Sequence, residues 1–204
     1  MNSKKSYKIY LIGVGGQGII KTATIIGEAA MTQRLKIVMS EVHGMAQRGG
    51  TVVTEVKIGE ARSPLISMNA ADLIIAFEAV ELLRALSRIG KDTYVIANSS
   101  MVIPFTVSLG MCKYPNQIEM FSQLKKKIDN FYLIDAEKLA EKAGYIISAN
   151  IVLLGAALAL PSFPVKKEFI VGSMRKNLPA HTLDFNIVAL ESGYQQLIST
   201  AYKE

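Results

Sequence analysis

Apolar and polar positions divide the chain into short buried runs and longer stretches with helical spacing. Lys8-Ile-Tyr-Leu-Ile12 is apolar on both faces and stops at Gly13, as a strand covered on both sides does. From Gln17 to Thr32, Ile19, Ala23, Ile26 and Ala30 recur at spacings of three and four, which predicts a helix with one apolar face. Leu35–Met39, Thr51–Ile58, Asp72–Phe77, Thr93–Ala97 and Phe131–Ile134 read as further strands. Helices are expected over Glu78–Ser87, with Gly90 as the stop, over Gln117–Ile128, and over Ala136–Ala143 behind an Asp135 cap. Val102-Ile103 and Phe105–Leu109 read as edge strand, because Pro104 argues against a central position. Ser148–Leu160 is apolar all round and must be covered on every side. Lys166–Lys176 and Thr182–Tyr202 are amphipathic. The pattern predicts one α/β domain over residues 1–204, with three α/β/α layers and a mostly parallel sheet. Residues 1–145 form its core, and a helical segment, 146–204, packs onto it.

Composition narrows the class. Half of the 204 residues are hydrophobic and one fifth are charged, which excludes a disordered chain. The net charge of +6 would suit nucleic acid or phosphate-bearing ligands. The basic residues are scattered, however, and Lys125-Lys126-Lys127 lies between Leu124 and Ile128 as a solvated helix face would. No nucleic-acid partner is expected. The longest apolar stretch, Ile146–Leu160, falls short of the ~20 residues that span a bilayer. Neither a membrane segment nor a signal peptide is expected, and the chain reads as a soluble cytoplasmic protein. Cys112 is its single cysteine, too few for a zinc site, a disulfide or an iron–sulfur cluster. The two histidines, His43 and His181, lie far apart, and no metal site is expected.

Two stretches carry candidate chemistry. Gly13-Val14-Gly15-Gly16-Gln17-Gly18 follows a strand and opens a helix, the context in which G-x-G-x-x-G lets a phosphate approach backbone amides at a helix start. The other reading is a tight turn with no ligand. A dinucleotide fold also wants an acidic residue about 20 positions on, and Glu41 stands 23 after Gly18. Yet Ser40–Gly50 is too short and Gly-rich for a crossover helix, so the strands beside it are expected to be antiparallel. That stretch, Ser40-Glu-Val-His-Gly-Met-Ala-Gln-Arg-Gly-Gly50, is expected to be a long functional loop. Arg48 before Gly49 and Gly50 offers a guanidinium and backbone donors to an anion, and Glu41 and His43 stand close by. A surface salt bridge and a structural histidine are the plainer alternatives. Glu78 and Asn150 are secondary candidates, each with a capping or core role as its alternative.

These residues carry a resemblance. Gly-Val-Gly-Gly-Gln-Gly-Ile, the Ser40–Gly50 loop, Ala71–Glu78, Ser148–Gly155 and Phe185–Tyr194 together resemble the gamma-type subunit of 2-oxoacid:ferredoxin oxidoreductases, and the loop is most similar to the indolepyruvate type. The resemblance covers nearly the whole chain. It implies oxidative decarboxylation of a 2-oxoacid to an acyl-CoA with reduction of ferredoxin, and coenzyme A as cosubstrate. It also implies thiamine diphosphate, magnesium and iron–sulfur clusters on a large partner subunit, which ferredoxin meets in the holoenzyme. It marks Gly13, Gly15, Gly16, Gln17, Gly18, Glu41, His43, Arg48, Gly49 and Gly50 as facing coenzyme A or the partner's active site, and assigns no catalytic residue. A stand-alone NAD(P)- or flavin-binding oxidoreductase, a nucleotide-binding regulator and a homodimer of the isolated chain stay open.

Overall fold

A computed structural model describes residues 6–43, 50–101 and 115–201. The expectations for Gln47, Arg48, Gly49, Cys112 and the 102–109 edge strand fall outside the described residues.

Among the described residues six strands form one sheet: β1 (Ser6–Val14), β2 (Ile37–His43), β3 (Thr51–Gly59), β4 (Ala71–Ala76), β5 (Ile89–Asn98) and β6 (Phe131–Ile134), in the order β2-β3-β1-β4-β5-β6. β3 runs antiparallel to both neighbours, and β1, β4, β5 and β6 are mutually parallel. The sheet is therefore mostly parallel, as its apolar runs require. Along β1, Ile9 and Leu11 pack on one face while Tyr10 and Ile12 pack on the other, and β4 divides Leu73 and Ile75 from Ile74 and Ala76 in the same way.

Helices cover both faces. On one lie α2 (Glu81–Ala85) and α3 (Gln117–Lys127), which contribute Leu82, Ala85, Met120, Phe121 and Leu124 to the core. On the other lie α1 (Ile19–Thr32), α4 (Ala136–Lys142), α5 (Ala149–Leu158), α6 (Lys167–Asn177) and α7 (Leu183–Ala201). The all-apolar helix is α5, and Ile151, Val152, Leu153 and Leu154 are buried in this larger core. Asp135 caps α4 through Lys138 N at 3.1 Å, as its position before the helix implies. Among the described residues no helix is long and apolar enough to cross a membrane.

Three local expectations are corrected. The strand expected at Leu35–Met39 runs from Ile37 to His43, because pairing with β3 continues as far as His43 opposite Val52. Glu41 and His43 are therefore strand residues, and the link to β3 is shorter than Ser40–Gly50. The helix expected over Glu78–Ser87 is reduced to α2 and a 3-10 turn, Leu86–Arg88. The Glu78 carboxylate accepts from Val80 N at 2.7 Å and Glu81 N at 2.9 Å, so it delays the start. Gly90 lies inside β5 and stops no helix: a Cβ there would sit 2.4 Å from the Asn69 carbonyl oxygen, so close backbone passage demands glycine.

Two tyrosines of β1 tie fold stability to alkaline pH. Burial pushes the Tyr7 and Tyr10 hydroxyls above their ordinary range, against smaller downward pulls from Ser162 on Tyr7 and Arg88 on Tyr10. Both groups are protonated in either state below pH ~10. Above it the unfolded chain releases protons that the folded chain retains, so the contribution of these two tyrosines is flat to about pH 9 and falls above about pH 10. Urea midpoints from pH 8 to 11 should show this fall, and a Tyr7→Phe/Tyr10→Phe variant should flatten it. An unchanged slope in that variant would clear the tyrosines of responsibility.

Candidate functional site

β1 and β4 lie side by side, but the chain leaves β1 toward β2 and β3 on one side and leaves β4 toward β5 and β6 on the other. The crevice beyond the carboxyl ends of such strands is where open α/β sheets bind ligands. The glycine loop opens there. Gly16 has φ 103° and Gly18 has φ 76°, conformations that a side chain strains. Gln17 N donates to Val14 O at 3.2 Å and closes the turn, while Gly15 N donates to Gly50 O at 3.0 Å. Thr51 stands opposite Val14, so Gly50, the far end of the β2–β3 link, meets the glycine loop.

Gln17 folds back into the protein. Its Oε1 accepts from Val14 N at 2.8 Å and its Nε2 donates to Phe77 O at 3.1 Å. Asn98, at the end of β5, donates to the same carbonyl at 3.2 Å and accepts from Ala136 N at 3.2 Å. These bonds brace the carboxyl ends of β1, β4 and β5 against α4. At Gly13 a Cβ would lie 2.7 Å from Gln17 Oε1 and 2.8 Å from Phe77 Cβ, so that glycine makes room for the brace. At Gly16 a Cβ would meet nothing within 4 Å.

Above the loop is a cavity of about 500 Å³. Gly16, Gln17, Gly18 and Lys21 form one wall, Phe77 and Asn98 contribute beneath, and Tyr145, Ile146, Ile147, Asn150 and Leu153 come from the C-terminal segment. Gly18 caps α1 without a side-chain bond, and the first turn of α1 holds no acidic residue. Lys21 lies in that turn, where the helix dipole favours an anion and disfavours a cation. Its Nζ donates to Asn177 O at 3.3 Å. Free first-turn amides, the helix terminus and Lys21 all bring positive potential to one wall. Glu137 also lines the cavity and takes a hydrogen bond from Ser100 Oγ. The arrangement is suited to holding an anion with an apolar body. Among the described residues no group of three or more His, Cys, Asp or Glu could hold a metal ion.

Of the other candidates, Glu41 is exposed on the edge strand, and β3 separates it from β1. Glu41 stands opposite Thr54, which stands opposite Leu11, so two strand spacings, about 10 Å, part it from β1, and the glycine loop lies farther along. A dinucleotide fold instead places its ribose carboxylate on the strand next to β1. Glu78 is buried in its turn and does not line the cavity. Asn98, Lys21 and Tyr145 escaped the sequence reading. A polar residue right after a buried strand signalled Asn98, and a cation in a helix's first turn signalled Lys21.

Three comparisons bear on this site. Residues 8–196 match the family model described as pyruvate ferredoxin/flavodoxin oxidoreductase. Indolepyruvate oxidoreductase subunit IorB of Methanothermobacter thermautotrophicus is 47% identical over 189 residues, which cover 93% of this chain and 96% of that one. In structure, the gamma subunit of a keto/oxoacid ferredoxin oxidoreductase from Geobacter sulfurreducens superposes with a TM-score of 0.69 at 23% identity, covering 95% of this chain and 99% of that one. A 2-oxoglutarate:ferredoxin oxidoreductase from Magnetococcus marinus, with 2-oxoglutarate, coenzyme A and succinyl-CoA bound, gives a TM-score of 0.71 at 18% identity over 97% of this chain and 32% of that longer one.

Proposed function

The chain belongs to the pyruvate ferredoxin/flavodoxin oxidoreductase family, and from that premise we propose that it is the accessory subunit of a 2-oxoacid:ferredoxin oxidoreductase acting on indolepyruvate or a related aryl-pyruvate. The observation that carries this reading is the near-full-length likeness to an indolepyruvate oxidoreductase subunit. The enzyme converts the oxoacid and coenzyme A to an acyl-CoA and carbon dioxide, and passes the electrons to ferredoxin. One cysteine in this sequence falls short of the four thiolates of a cluster, which supports placing the clusters on another chain. Thiamine diphosphate with magnesium, held by the large partner subunit, supplies the carbanion chemistry when bound, and the partner's iron–sulfur clusters carry the electrons.

This chain's part is to bind and to orient. Its glycine loop, Gly13 to Gly18, brings the backbone donors of the α1 start close to a phosphate of coenzyme A, and Lys21 adds charge on the same wall. Arg48, with Gly49 and Gly50, anchors an anionic group from the β2–β3 link, and His43 and Glu41 orient it from the end of β2. The open space at Gly16 and the positive wall support the part given to the glycine loop.

Co-purification from the native cell tests the reading. A large, cysteine-rich, thiamine-diphosphate-binding polypeptide should accompany the chain, and the pair should reduce ferredoxin with indolepyruvate and coenzyme A while the chain alone is inert. Recovery of the chain without such a partner, or oxoacid turnover by the chain alone, overturns it.

A further inference from the structure

Asn150 stands at the second position of α5, a helix that is otherwise apolar. Its side chain borders the cavity and is only 9% exposed. A buried amide is costly unless its hydrogen bonds are made. Here Nδ2 donates to Thr22 Oγ1 at 3.2 Å and reaches the Gly18 carbonyl oxygen at 3.5 Å. The same carbonyl accepts from Thr22 Oγ1 at 3.0 Å and from Thr22 N at 2.9 Å. Three donors thus converge on one oxygen. That oxygen belongs to the peptide unit whose other end is the Ile19 N–H. The unit is planar and trans, so holding the oxygen fixes the direction of the N–H, which points the opposite way along the helix axis. The donors that hold the oxygen lie on the helix side, which leaves the N–H facing out of the helix start. Gly18, already set by its positive φ, also leaves room for Asn150: a Cβ there would lie 2.7 Å from Asn150 Nδ2.

We infer that Asn150 is a positioning residue, which clamps the Gly18 carbonyl so that the Ile19 amide is aimed at the anion in the glycine loop. The clamp joins an element of the C-terminal segment to a loop 132 residues earlier in the chain. The inference rests on the proposal that this loop takes a phosphate of coenzyme A.

The test uses the complete chain in complex with its partner, titrated calorimetrically with coenzyme A and with inorganic pyrophosphate, alongside steady-state kinetics. Asn150→Ala should weaken binding of both probes by about 5- to 10-fold, the scale of one lost hydrogen bond. Asn150→Asp keeps the shape but replaces the donor with a charge beside the anion, and should weaken binding by about 30-fold or more. In both variants KM for coenzyme A should rise while kcat stays within about twofold. If shape alone mattered, the aspartate would bind as asparagine does, and that result overturns the inference. Asn150→Ser, which restores a donor on a small side chain, should bind better than Asn150→Ala and serves if the aspartate variant does not fold. Gly16→Glu separates the two levels. If it leaves coenzyme A binding intact, the loop assignment falls and takes the clamp with it. If it abolishes binding while the Asn150 variants bind as wild type, the clamp alone falls.

Discussion

Gly155→Ala is expected to destabilise the fold by about 3 kcal/mol, although helix propensity alone favours it by about 1 kcal/mol. A Cβ at 155 would lie 1.9 Å from Leu190 O and 2.8 Å from its carbonyl carbon. From the opposite side, a Cβ at Gly193 would lie 1.9 Å from Val152 O. The pairs 155–190 and 152–193 run in opposite directions, so α5 and α7 cross antiparallel with their backbones in contact at two glycines. A backbone carbonyl cannot rotate aside as a side chain can. The helices must separate, and packing in the core they share, around Val152, Ala189 and Leu190, must loosen. Urea unfolding of the full chain measures the loss. Gly172→Ala on α6 is the control. A Cβ there meets nothing within 4 Å, so this substitution should be neutral or stabilise by up to about 1 kcal/mol. Gly155→Ala and Gly193→Ala should be less than additive together, since separation of the helices relieves both clashes. A Gly155→Ala variant as stable as wild type would mean that the helices do not touch in this way.

Gly16→Glu is expected to lower coenzyme A-dependent turnover of the holoenzyme by about 100-fold, whereas Gly16→Lys should retain most of it. Both side chains impose the same backbone strain, of order 1–2 kcal/mol, because φ at this position is 103°. Neither meets an obstacle at its Cβ, around which the space is open, and the two side chains are of similar length. Strain and bulk therefore cancel in the comparison, and what remains is the sign of the charge set against the α1 terminus and Lys21. Steady-state kinetics with coenzyme A varied should place the loss from glutamate chiefly in KM. Equal loss in the two variants would show that the loop's shape matters and that no anion sits there.

Much of this architecture could be read from the chain. The uninterrupted apolar runs of β1 and β4 announced strands buried on both faces. The Gly-rich stretch Ser40–Gly50, too short for a crossover helix, announced a return into an antiparallel strand, and β3 is that strand. The all-apolar stretch from Ser148 announced a helix covered on every side, and α5 is buried accordingly. Boundaries were harder. β2 runs on to His43 because its partner β3 offers pairing there, and nothing in the local composition of Ser40–His43 says so.

The site divides along the same line. Glycines at 16 and 18 are legible locally, because a turn at positive φ excludes side chains whatever surrounds it. Gln17 lines the cavity, while the two ends of its amide meet Val14 N and Phe77 O, which the motif alone does not disclose. Glu41 stands at the right count from Gly18, yet strand order puts β3 between them. From the sequence alone came the α/β class, the buried strands, the hairpin and the place of the glycine turn, since periodicity and backbone sterics act between residues close along the chain. The Gln17–Phe77–Asn98 brace, the Asn150 clamp and the glycine contact of α5 with α7 were decided by the tertiary structure. Each joins groups dozens of residues apart, and a hydrogen bond or a clash exists only once packing has brought its two partners within a few ångströms.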